Sequence, residues 1–137
     1  MKSICFWITL SVVTISCVSF GYGQGGIPLK YIGGCEIDID NNKTIDLVLL
    51  LESSNGWELL VLRRLDSGYK VHQVTTGKTN MNLQCKFGTR VNETRAGKSA
   101  GRVHTTNGTY LLLSQPESSS VAYFWKNNGF IEVWTSD

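Results

Sequence analysis

From Cys35 to Leu51 the chain reads CEIDIDNNKTIDLVLLL. Counted from Asp38, oxygen-bearing side chains stand at positions one, three, five and nine, as Asp38, Asp40, Asn42 and Asp46. Thr44, at position seven, offers its carbonyl. A hard cation such as calcium takes several oxygens converging from one tight loop, and this spacing is how such loops supply them. The same residues carry a second reading. Glu36, Asp38 and Asp40 alternate with Ile37 and Ile39, the pattern of a half-buried strand. Asn41-Asn42 then supplies residues that tolerate a tight turn. Calcium loop or acidic hairpin, both readings lead into one apolar strand.

Other residues with chemical capacity are few. His72 and His104 are the only imidazoles. Acting as base and acid, they would have to stand within hydrogen-bond reach of reacting groups, and nothing in their spacing brings them together or beside a carboxylate. Gly97-Lys98-Ser99-Ala100-Gly101 matches G-x-S-x-G. That elbow needs a strand ending at the serine and a helix after it, whereas a polar run precedes Ser99 and a strand pattern follows. No catalytic residue is assigned. Parity across the turn Asn127-Asn128-Gly129 puts Val121, Tyr123, Trp125, Phe130, Glu132 and Trp134 on one strand face, and Ala122, Phe124, Ile131 and Val133 on the other. The second set reads as core. In the first, Tyr123, Trp125, Phe130 and Trp134 form an aromatic surface of the kind that stacks on a sugar or anchors a protein. The alternative is that both faces are covered.

Asp38, Asp40 and Asn42, followed by Asp46-Leu47 and the run to Leu51, resemble the calcium loop of FG-GAP and VCBS-type repeats, where D-x-D-x-D precedes an Asp-Leu pair that opens a strand. The resemblance spans residues 36–51 and implies calcium as cofactor and a blade-like meander around the loop. Where that loop carries glycines this chain has Asn41 and Lys43. A later stretch, GRVHTTNGTYLLL, keeps the leucines and none of the acids.

The elements that would position these residues are strands. "IDLVLLLE", "WELLVLRRL" and "YKVHQVTT" follow one another, the last two divided by Asp66-Ser67-Gly68; "TYLLLSQ", "VAYFWK" and "FIEVWT" come later. Leu49-Leu50-Leu51 aligns with Leu111-Leu112-Leu113 at an offset of 62, and Gly68-Tyr69 with Gly129-Phe130 at 61. The expectation is two related four-stranded meanders, over about 35–76 and 102–137, in a single all-β domain that is a small sandwich or barrel. Between them "NLQCKF" reads as one further strand. The unalternating runs "LVLLL" and "YLLL" call for cover on both faces.

Residues 1–23 hold Lys2, an uncharged apolar stretch, and Gly21 and Gly23 before Gln24, the pattern of a signal peptide. Residues 24–34 then form a glycine-rich leader. Cys17 is the alternative, as a lipoprotein anchor. With the signal removed, Cys35 and Cys85 remain, and in an oxidising compartment a disulfide is the default. It would close a loop of about 50 residues, worth roughly 4 kcal/mol. The net charge of +2 argues against a dedicated nucleic-acid binder, and no transmembrane segment is expected once the signal is gone. Asn42, Asn92 and Asn107 begin glycosylation sequons, which matter only in a eukaryotic source. The reading is a secreted or periplasmic, non-enzymatic interaction module with a protein or carbohydrate partner. A small secreted hydrolase and a calcium-stabilised structural module are the alternatives.

Overall fold

Eight strands account for most of residues 29–94, 101–116 and 118–136, the part of the chain that a computed structural model describes. The expected signal peptide, Cys17 and Ser99 lie outside these residues. In order the strands are β1 (Lys30–Ile37), β2 (Asp46–Ser53), β3 (Gly56–Leu65), β4 (Gly68–Gly77), β5 (Asn82–Asn92), β6 (Val103–Ser114), β7 (Ser120–Lys126) and β8 (Gly129–Ser136). Each sheet is a consecutive antiparallel meander, β1-β2-β3-β4 and β5-β6-β7-β8. No helix is present among the described residues, so none is long and apolar enough to cross a membrane.

The tight turns follow from local chemistry. Gly68 turns β3 into β4 at φ 127, and Asn127 and Asn128 carry β7 into β8 at φ 52 and 63. A two-residue hairpin loop matches the strand twist when both its residues have positive φ, and asparagine tolerates that.

The sheets pack face to face as a sandwich. Ile37, Val48, Leu50, Trp57, Leu59 and Val61 of the first meet Leu111, Leu113, Val121, Tyr123 and Trp125 of the second in one core. Each large apolar side chain buried there contributes about 1.5–3 kcal/mol. Cys35 on β1 and Cys85 on β5 form a disulfide across the two sheets, Cα to Cα 6.4 Å.

Three boundaries differ from the expected ones. β1 begins at Lys30, inside the stretch taken as leader. The second meander begins with β5 at Asn82, not near residue 102. The strand read from TYLLLSQ begins earlier, at Val103, so that VHTTNGTYLLLS is the single long strand β6. The pattern misled because Asn107-Gly108 looks like a turn. Instead Gly108 takes φ 108 within the strand, opposite a register shift between Gly88 and Arg90. Thr106 receives a hydrogen bond from the Gly108 N–H at 3.1 Å and donates to the Gly88 carbonyl. The outer half of the β5–β6 hairpin bends there.

That bend closes one side of the molecule. β7 pairs with β6 only from Leu111 to Ser114, leaving the outer half of the hairpin to lie over the far face of the second sheet. Val91 of this arm packs with Ala122, Phe124 and Val133, flanked by Tyr110 and Leu112, and the Thr94 N–H bonds the Trp134 carbonyl at 2.9 Å. Both faces of β7 are therefore covered.

The first sheet has no such arm. Val48, Leu50, Leu59 and Val61 point into the sandwich and are fully buried. Leu47, Leu49 and Leu51 of β2, and Leu60 and Leu62 of β3, point the other way and are half-buried. The run "LVLLL" was expected to be covered on both faces; among the described residues only its inner face is.

Candidate functional site

The acidic stretch is the loop that joins β1 to β2. Its backbone is left-handed at Asn41 (φ 59) and Lys43 (φ 68), the two positions where the calcium-loop repeats have glycine. For lysine that conformation costs about 1–2 kcal/mol, so the surrounding bonds must impose it.

They do so through the carboxylates. Asp38 accepts the N–H groups of Asn42 at 3.1 Å and Lys43 at 2.8 Å. Asp40 accepts the Asn42 side-chain amide at 3.2 Å and both Nε, at 2.9 Å, and Nη2 of Arg63. The Asn42 amide oxygen is taken by the Thr44 N–H at 2.8 Å. Asp46 is wholly buried and accepts the Ile39 N–H at 3.0 Å and the Arg64 N–H at 2.7 Å. Burial pushes its carboxyl above the usual 3.8; the two N–H bonds oppose this and the charges of Asp40 and Asp38 add to it. Two bonds from the second sheet complete the frame: Thr109 donates to the Asp38 carbonyl at 2.9 Å and Asn107 to the Ile39 carbonyl at 3.0 Å.

Carboxylate oxygens of Asp38, Asp40 and Asp46 lie within 4.8 Å of one another, so the spacing read from the sequence does converge. Asn42 turns its oxygen to Thr44 instead. The cation already in place is Arg63, whose charge balances part of the cluster. The sequence held one signal for it. Arg63 falls at an inward position of β3, in step with Trp57, Leu59 and Val61, where a charge must find a partner. Asn107 and Thr109 read as a glycosylation sequon, yet both side chains are engaged in holding the loop.

Arg63 also links the loop to the core. Its guanidinium lies 4.0 Å from the centre of the Trp125 ring, a favourable cation–π distance. His72 packs edge-on to Trp125 at 5.1 Å and faces Phe130 at 6.1 Å. Among the described residues its buried Nε2 has no hydrogen-bond partner. Burial first, then the charges of Arg63 and Lys70, lower its pKa below 6.5, which keeps the ring neutral.

The residues expected to form an aromatic surface are divided by this packing. Trp125 and Tyr123 are 8% and 6% exposed, inside the sandwich. The Tyr123 hydroxyl donates to Glu132 at 3.1 Å, and burial pushes its pKa up to about 12. Phe130 packs against the same core, and Trp134 on β8 keeps about a third of its surface exposed. The four do not make one open face, because the first sheet lies over the side of β7 that carries Tyr123 and Trp125.

No family model matches the chain, and no curated protein or solved structure matches it. The functional reading therefore rests on geometry alone. His104 does have a carboxylate beside it, Glu93 at 2.7 Å, with Phe124 at 6.2 Å. Three clefts gather around the β2–β3 hairpin and Lys78, one of about 360 Å³ beside Tyr31, Trp57 and Met81. Neither histidine nor any residue of the acidic loop lines them.

A further apolar feature is the outer face of the first sheet. Register aligns Glu36, Leu47, Leu62 and Val71 in one row across the four strands, and Gly34, Leu49, Leu60 and Gln73 in the next. Tyr31, Leu51, Glu58 and Thr76 form a third, while Arg64 pairs with Tyr69 at the loop end. Val71 and Tyr69 are each 60% exposed. Contiguous apolar surface of this kind marks interaction sites.

Proposed function

We propose that the protein is an exported, non-enzymatic interaction module whose working surface is the outer face of β1–β4. The observation that carries this reading is the set of outward leucines, Leu47, Leu49, Leu51, Leu60 and Leu62, on a face with no covering layer among the described residues. The other outer face of the sandwich is closed by the arm of its own hairpin, so the contrast lies within one molecule. The disulfide between Cys35 and Cys85 supports an oxidising compartment. The test is capture from the native extracellular or periplasmic fraction with the immobilised protein and with a Leu49→Lys, Leu60→Lys variant. Both positions are half-buried on the outer face; the variant, checked for its fold by circular dichroism and thermal melting, should lose the partner that the wild type retains. Equal capture by both would refute the proposal.

A second reading, a structural calcium ion in the β1–β2 loop, is favoured by the convergence of Asp38, Asp40 and Asp46. These carboxylates and the Thr44 carbonyl would be its ligands, and the ion would displace Arg63 from Asp40. At a free concentration of 100 times Kd it would stabilise the fold by about 2.7 kcal/mol. Thermal melting in millimolar calcium and in chelator decides: a rise that Asp38→Asn abolishes supports the ion, and coincident curves reject it.

A further inference from the structure

The outward positions of β3 read Glu58, Leu60, Leu62 and Arg64, a stripe that is its own complement when reversed. Laid antiparallel on a second such stripe, Glu58 meets Arg64 and Leu60 meets Leu62. We infer that this face pairs with the same face of a second copy of the chain, about a two-fold axis that runs across the strands at Val61. The inference rests on the proposed interaction surface and names its occupant.

Three observations bear on it. Neither Glu58 nor Arg64 forms an ion pair among the described residues; each stands at one end of the leucine stripe, roughly 20 Å apart by strand rise. Val61 lies opposite Val48 on β2, so the same axis brings Leu47 onto Leu49 and Ile45 onto Leu51, apolar against apolar. Val48 in turn lies opposite Cys35 on β1, so Glu36 meets Gly34, beside which the Tyr31 ring lies. A two-fold contact requires this self-complementarity, and the charges at its ends fix an antiparallel register and disfavour a parallel one.

The size of the face sets the strength. Four strands about 4.8 Å apart and seven residues at about 3.3 Å each give roughly 400 Å² per copy. The pair would bury less than the roughly 1,200 Å² of a stable complex, so association is reversible and depends on concentration.

Sedimentation velocity over a concentration series tests the inference with the full chain and three samples: Glu58→Arg, Arg64→Glu, and an equimolar mixture of the two. The wild type should associate as its concentration rises. Each single variant places like charges at both ends of the contact and should bind itself about 10- to 30-fold more weakly. The mixture restores both opposite-charge pairs and should associate as the wild type does, an outcome that misfolding of either variant could not produce. A wild type that stays monomeric, single variants that self-associate unchanged, or a mixture that stays monomeric would each overturn the second copy as occupant. If the wild type is monomeric yet the two lysine substitutions still abolish capture of a different protein, the interaction surface stands and only its assigned occupant falls. If capture is also unchanged, both fall.

Discussion

Replacing Asp46 with alanine tests whether the acidic loop is held by its own carboxylates. Asp46 is wholly buried and satisfies two backbone donors, Ile39 N–H at 3.0 Å and Arg64 N–H at 2.7 Å. Each buried donor left without a partner costs about 1–3 kcal/mol. Removing a carboxylate from beside Asp38 and Asp40 offsets part of this. The expected net loss is about 3 kcal/mol, or about 10–20 °C in melting temperature for a domain of this size. Urea denaturation followed by tryptophan fluorescence would read it as a lower midpoint with an unchanged slope. Asp46→Asn keeps one acceptor oxygen and should lose about half as much. The pH dependence has a defined sign. The folded carboxyl titrates above its unfolded value of 3.8, so the stability linked to its protonation is fully present below 3.8 and is lost as pH rises through the folded value. The deficit of the alanine variant should therefore widen as pH falls through the carboxylate range. A loss below about 0.5 kcal/mol, or a deficit that narrows on acidification, would refute the reasoning.

Three other outcomes follow from the packing. Cys35→Ser with Cys85→Ser should cost about 4 kcal/mol by releasing a loop of about 50 residues in the unfolded chain, read by urea denaturation of the oxidised wild type against the variant. Trp125→Ala removes a buried ring from between Arg63, His72 and Phe130 and should cost about 3–5 kcal/mol; retained stability would restore the ligand-platform reading. Ultraviolet titration should show Tyr123 ionising near 12. Because its folded pKa is raised, the stability tied to its neutral form is lost between about pH 10 and 12, and base-induced unfolding should begin in that window.

The strands were legible because their chemistry is local. Asp66-Ser67-Gly68 and Asn127-Asn128 turn where their residue types allow, and the expected pair Cys35 and Cys85 meets across the sheets. The acidic spacing foretold that three carboxylates converge. What stayed hidden depends on distant partners. Arg63 meets Asp40 from 23 residues away, and Asn107 reaches the Ile39 carbonyl from 68, too far for any local pattern to register. The bend at Gly88 and Gly108 looked like a turn between two strands, because positive φ at a glycine serves either purpose. The unalternating leucines of β2 implied cover on both faces; the sandwich provides one, and the other is the surface assigned here to a partner.

That surface can be measured directly by hydroxyl-radical footprinting of the protein, dilute and alone, then at high concentration and in the extracellular or periplasmic fraction to which the proposed export would deliver it. Phe87, 82% exposed on β5, serves as the internal control. The account predicts that Tyr69, Val71, Leu49 and Leu60 become protected under at least one of the last two conditions while Phe87 reacts as before. Unchanged reactivity at these four positions in both would contradict it.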